Sequence, residues 1–177
     1  MKNGWKIIGE LTYKSVLGTD GLSDKEPRRT SRAILKNQDD KYAVMYTAKF
    51  QLHTLPGGGI DGEEDEASAL VREVLEETGC TCDFIEPLGI VYENRFHADF
   101  TSLSHYFYVE TKTKNGKIHL TDKELEDGII LKWCSLDEAV HLIKDIDHET
   151  SQRKFLQARD LAALNEYKRN KFPDTGT

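Results

Sequence analysis

Residues 55–80, LPGGGIDGEEDEASALVREVLEETGC, join a glycine turn, an amphipathic helix and a dense set of carboxylates in one run. No other stretch constrains the fold as much. Ala67, Leu70, Val71, Val74, Leu75 and Thr78 recur at the i, i+3, i+4, i+7, i+8 spacing of a helix with one face in the core. Asp65 stands where an N-cap belongs and Gly79 where a left-handed C-cap belongs, so the spacing predicts a helix over residues 66–78. On the face that this stripe leaves free lie Arg72, Glu73, Glu76 and Glu77. Glu73 and Glu77, one turn apart, repel each other unless something positive sits between them, whereas Arg72 can hold Glu76. A hard divalent cation suits that place, because such ions take oxygen ligands and are held by one or two carboxylates together with substrate phosphates. An ordinary solvated Glu-rich face would carry the same residues with no such role.

The wider spacing separates these readings. Gly58, Glu64, Arg72, Glu73, Glu76, Glu77 and Gly79 fit G-x5-E-x7-R-E-x-x-E-E-x-G at every fixed position. At ordinary residue usage the odds of that coincidence are on the order of one in a million. The segment over residues 58–80 resembles the Nudix box, the signature of the Nudix hydrolases. Two small departures touch no implied ligand: Gly62 is separated from Glu64 by Glu63, and the closing aliphatic position is Cys80. The resemblance implies an α/β/α sandwich with a mixed sheet and a loop–helix–loop catalytic motif. It further implies Mg²⁺- or Mn²⁺-dependent hydrolysis of a nucleoside diphosphate linked to another group. Glu73 and Glu77 are then the main metal ligands, Glu76 is an auxiliary ligand or the partner of Arg72, and a backbone carbonyl near Gly58 is a further ligand.

Around the box the chain alternates strand-like and polar stretches. Trp5, Ile7, Leu11 and Tyr13 suggest a first strand, and residues 18–27 a surface loop. Residues 32–35 and 42–46 suggest a hairpin. Pro56 then delivers the chain to Gly57, Gly58 and Gly59, whose backbone can come close to a ligand. Residues 84–96 and 103–110 carry strand composition around a polar loop at 97–102. A second loop is expected over residues 112–128. In the family, an acidic residue from such a loop often completes the metal site or serves as base, so Glu124 and Glu126 are the candidates. Residues 129–133 read as a strand, Ser135 with Glu138 as a capping box opening a helix to Ile146, and residues 151–168 as a last helix. That helix places Phe155, Ala158, Ala162 and Tyr167 near one face, to pack on the sheet or to mediate a homodimer.

At 177 residues the chain is expected to be one domain over its whole length. Its net charge of −7 argues against a nucleic acid polymer as partner, which would need a basic face. A small nucleotide-type substrate remains compatible, because a metal inverts the electrostatics of an acidic site. Cys80, Cys82 and Cys134 have no zinc spacing and read as reduced thiols. With no signal-like or membrane-spanning apolar run, a soluble, cytoplasmic protein that meets no membrane is expected. Among Arg28, Arg29 and Arg32, which suit phosphate, Arg29 is the substrate-binding candidate; Tyr92 and Phe96 are candidates to stack on a base. His97 and His105 flank a loop where substrate could be met. Two rivals share the fold: a nucleotide-sensing regulatory module that does not hydrolyse, and an isomerase of isopentenyl diphosphate. The retained box carboxylates speak against the first. No matching Cys, His and Glu set supports the second.

Overall fold

The computed structural model describes residues 4–114, 116–145 and 150–173. In chain order its elements are β1 (Ile7–Thr12), α1 (Tyr13–Leu17), β2 (Arg28–Lys36), β3 (Tyr42–Thr47), β4 (Leu52–Thr54), β5 (Gly57–Gly59) and α2 (Glu66–Thr78). There follow β6 (Cys80–Arg95), β7 (Phe100–Lys114), α3 (Asp122–Glu126), β8 (Ile129–Cys134), α4 (Leu136–Lys144) and α5 (Ser151–Lys171). Asn115 of the expected second loop and Ile146 of the expected closing helix lie outside the described residues.

The strands form one mixed sheet in the order β1-β6-β7-β2-β3-β4, with β5 paired to β2 and β8 to β3. The β1–β6 and β2–β7 pairs are parallel and the others antiparallel. Central strands buried on both sides need apolar residues of both parities, and β2 and β7 have them. Ala33, Leu35, Phe107 and Val109 pack under α2 with Leu70 and Val74. Ile34, Tyr106 and Tyr108 face the other way, against Ala139 and Ile143 of α4 and Leu164 and Tyr167 of α5. The result is the expected α/β/α sandwich.

Helix α2 ends where its caps predict. The Asp65 carboxylate accepts the Ser68 N–H at 2.6 Å, and Gly79, at φ 66°, donates its N–H to the Leu75 carbonyl. Its buried face, however, is rotated from the apolar stripe. Val71 and Leu75 are 42% and 41% exposed, whereas Glu73 and Glu77 are only 9% and 7% exposed. The cause is what lies beneath: α2 packs on β5, three glycines without side chains, which leaves room for carboxylates to turn inward. Both expected loops after the box are shorter than the composition suggests. β6 starts directly after Gly79, β7 runs to Lys114, and Thr121 with Glu124 caps the one-turn α3 inside the supposed second loop. Helix α5 extends to Lys171 and packs on β1, β6 and α4, which accounts for its buried face without a second chain.

Candidate active site

Strand β5 positions the glutamates. Its pairing with β2 sets Gly57 opposite Arg32, Gly58 opposite Ser31 and Gly59 opposite Thr30. The Gly57 N–H donates to Glu77 at 2.6 Å, and the Gly59 carbonyl accepts from Arg72 at 2.9 Å. Peptide groups alternate along a strand, so those of Gly58 turn toward β2. The expected carbonyl ligand at Gly58 is therefore directed into the ladder, and what Gly58 supplies is space. A Cβ there would fall inside the Glu73 carboxylate. Gly58→Ala keeps a permitted backbone, since only the flexible end of Glu73 must move. We expect it to melt close to the parent but to lose tenfold or more in kcat/KM, with a higher Mg²⁺ requirement; thermal melts and metal-dependent kinetics check this.

Burial raises the pKa of both inward glutamates. For Glu77 desolvation, reinforced by the neighbouring Glu73, carries it to about 8, against the opposing pull of the Gly57 N–H and the Arg32 cation. Glu73 is pushed up by burial as well, and Arg72 offsets part of that. Arg72 binds Glu64 through two parallel contacts of 2.9 Å and donates to Glu73 at 2.8 Å. Glu76 is a looser partner at 3.3 Å and is partly exposed. The expected Arg72–Glu76 pair exists, yet the bidentate partner is Glu64, eight residues earlier. Glu64 was legible only as a fixed position of the box, not as a site residue.

Glu77 and Gly57 line a cleft of about 460 Å³, with Arg32, Phe50, Glu124, Asp127 and Arg159 among its walls. That size suits a small ligand. Of the two loop acids, Glu124 reaches this cleft while Glu126 is exposed and away from it. The substrate-binding candidates lie elsewhere. Arg29 points to the α2 side and pairs with Glu66 at 2.6 Å, because β2 alternation sends Arg28 and Arg32 to the opposite face. The Tyr92 hydroxyl takes an amide proton from Asn94, and the Phe96 ring packs over Gly21; neither lines the cleft. His105 is buried beside Trp5 and Glu66, and His97 packs edge-on against Tyr13. Arg32, one of the three arginines suited to phosphate, does line the cleft, and Arg159 is a cleft residue that the helix pattern did not single out.

Among the described residues, no three His, Cys, Asp or Glu side chains are already gathered as a metal cluster. The donor chemistry nevertheless fits a hard cation: Glu73 and Glu77 are oxygen donors, both desolvated, repelling each other and held off their usual ionisation.

A glycine strand under a carboxylate-bearing helix, at the mouth of a cleft in an α/β/α sandwich, defines a class of acidic anion-handling sites. The family model of the NUDIX domain matches residues 26–158, and the chain belongs to that family. An RNA pyrophosphohydrolase of Acidiphilium cryptum (strain JF-5) is 30% identical over 110 residues, which cover 62% of this chain and 60% of that protein. A diphosphoinositol polyphosphate phosphohydrolase of Homo sapiens is 25% identical over 125 residues, 68% of this chain and 66% of that protein. The chain thus spans 60–66% of the length of these curated relatives. Among solved structures, a NUDIX hydrolase from Nitrosomonas europaea superposes with a TM-score of 0.63 at 24% identity, covering 82% of this chain and 91% of the other. The NUDIX domain of Shewanella oneidensis NrtR, complexed with ADP ribose, superposes with a TM-score of 0.60 at 19% identity, over 82% of this chain and 89% of that domain. These two likenesses concern the fold.

Proposed function

We propose that the protein is a hydrolase that cleaves the diphosphate linkage of a small nucleotide-type substrate with Mg²⁺ or Mn²⁺. The observation that carries this is the pair of buried carboxylates, Glu73 and Glu77, turned onto a side-chain-free strand, with Glu77 also lining the cleft. Burying two like charges costs several kcal/mol unless something repays it, so a folding role alone does not explain them. Glu73, Glu77 and Glu76 would hold the cation, together with a main-chain oxygen of β5. When bound, the ion screens the negative diphosphate and acidifies a water.

The chain's own residues do the rest. Arg72 fixes Glu73 and Glu64, and the Gly57 N–H fixes Glu77. Glu124 is the loop base in this reading: its Oε2 accepts the Thr121 N–H and hydroxyl, which holds the carboxylate while Oε1 stays available to take the water's proton. The names of the relatives, a pyrophosphohydrolase and a phosphohydrolase of a diphosphorylated compound, support diphosphate chemistry. Among the described residues no helix is long and apolar enough to cross a membrane, and Cys80, Cys82 and Cys134 are free thiols, in keeping with a reducing, cytoplasmic setting.

The test is an assay of phosphate and diphosphate release from a panel of nucleoside di- and triphosphates, nucleotide sugars and dinucleotides. Turnover of at least one substrate is expected with Mg²⁺ and none with EDTA. Binding without turnover across the panel would replace the hydrolase reading with the sensing module.

A further inference from the structure

Three adjacent strands send a polar set of alternate residues to the α5 side of the sheet. They are Glu93 and Arg95 on β6, Phe100, Ser102 and Ser104 on β7, and Arg28, Thr30 and Arg32 on β2. Register makes this one surface: Glu93 lies opposite Ser102 and Ser102 beside Arg28, while Ser104 lies beside Thr30. Further along, the same face turns apolar with Ile34 and Tyr106. Under a covering helix a sheet face is ordinarily filled by such residues. Here short hydroxyl side chains leave a cavity of about 380 Å³, roofed by Leu156 and Arg159 of α5. Arg32, Gln152, Leu156 and Arg159 also line the cleft that holds Glu77, so the two spaces adjoin along these side chains.

Charge in this second space is unbalanced. Four guanidinium groups line it. Glu93 answers Arg95 at 2.7 Å and Asp160 answers Arg159 at 2.9 Å. Among the described residues, Arg28 and Arg32 have no carboxylate at ion-pair distance, and Asp160 and Glu77 act on Arg32 only from farther away. Nε of Arg32 and Nη2 of Arg159 are buried donors with no hydrogen-bond partner, although Arg159 as a whole is only 4% exposed. Folded proteins leave few such donors unmet, and each one asks for an explanation. Arg28 completes the set from the open side, its guanidinium leaning over Gly59 of β5.

We propose that this arginine-lined end of the cleft binds a phosphate group of the substrate other than the diphosphate placed at the glutamates. The substrate class is then a small molecule with at least one further phosphate, on a ring ester or along a longer polyphosphate chain. Guanidinium forks match phosphate oxygens, and desolvated guanidinium groups discriminate for them strongly. Which phosphate is cut rests on the hydrolase reading above; the binding itself does not.

Calorimetry in EDTA tests this with three probes: AMP, inorganic tripolyphosphate and myo-inositol hexakisphosphate. The parent is expected to bind at least one of the two polyphosphorylated probes tenfold or more tighter than AMP. Arg28→Ala and Arg32→Gln, with thermal melts showing them folded, should each weaken that binding about tenfold, the worth of one lost charge-assisted contact. Loss confined to tripolyphosphate assigns a linear chain, and loss confined to inositol hexakisphosphate assigns separate esters. Equal affinity for all three probes, or parental affinity in both variants, would overturn the proposal. Glu77→Gln keeps the two readings apart, since it should abolish turnover yet retain probe binding. If it hydrolyses at the parent rate, the hydrolase assignment fails and the binding result still stands.

Discussion

Glu77→Gln is expected to remove hydrolysis while leaving the fold in place, and to stabilise the metal-free protein at alkaline pH. Glutamine keeps an oxygen for the Gly57 N–H, now bound at 2.6 Å, and fills the same volume, so packing around α2 is preserved. It cannot supply a charged metal ligand, and the expected loss in kcat is at least as large as the roughly 10²–10⁴-fold that a missing general base costs. The stability effect comes from burial, which raises Glu77 to about 8. A carboxyl whose folded pKa lies above its unfolded one stabilises the fold in acid, and that contribution is lost as pH rises through the folded value. In EDTA the parent and the variant should therefore melt together near pH 4 and separate by pH 9, with the variant higher. Saturating Mg²⁺ should reverse the order, because only the parent gains the full stabilisation of a bound ion. Melts that track each other across pH with EDTA would show that burial of the Glu77 carboxylate costs the fold nothing. Parental turnover by a folded, Mg²⁺-saturated variant would remove Glu77 from the site.

What the sequence disclosed and what it concealed divide along the range of the interactions. The α2 caps, the glycine run and the order of the strands are local or nearly local, and the bounds 66–78 follow from Asp65 and Gly79 alone. The rotation of α2 is not local. Its apolar stripe runs through Val71 and Leu75, but a β5 strand without side chains lets Glu73 and Glu77 win the inner face. The position of the three arginines was hidden for a similar reason. Arg28, Arg29 and Arg32 look alike in sequence, yet which parity faces the cleft depends on β2 lying between β7 and β5, a pairing of distant segments. On α5 the signal was present but weak. Arg159 and Asp160 sit between Phe155 and Ala163, where an apolar stripe should pass, and a charged pair in a buried stripe marks either a network or a site.

Asp160→Ala is expected to cost more stability than any other single change considered, about 3–5 kcal/mol, as when one partner of a buried pair is removed. Asp160 is fully buried and gathers three donors: Arg159 at 2.9 Å, the Leu55 N–H at 2.9 Å and the Tyr106 hydroxyl. Leu55 leads through Pro56 into β5, so this carboxylate ties α5 to the strand beneath the glutamates. Burial by itself would raise its pKa, but the Arg159 and Arg32 cations outweigh that and hold it below the ordinary carboxylate value. With alanine, two guanidinium groups would lose the carboxylate they share, leaving only the more distant pull of Glu93 on Arg159 and of Glu77 on Arg32, and the Leu55 N–H would lose its acceptor. At roughly 2–4 °C per kcal/mol for a chain of this size, the melting temperature should fall by on the order of 10 °C. Asp160→Asn keeps an acceptor for Leu55 but no charge, and should fall between the two. Because a lowered carboxyl stabilises only while ionised, the gap between parent and Asp160→Asn should be constant near neutrality and close as pH drops through the folded pKa. A gap that widens in acid would mean that the arginines are balanced by some other group, and the excess positive charge assigned to this end of the cleft would then be absent.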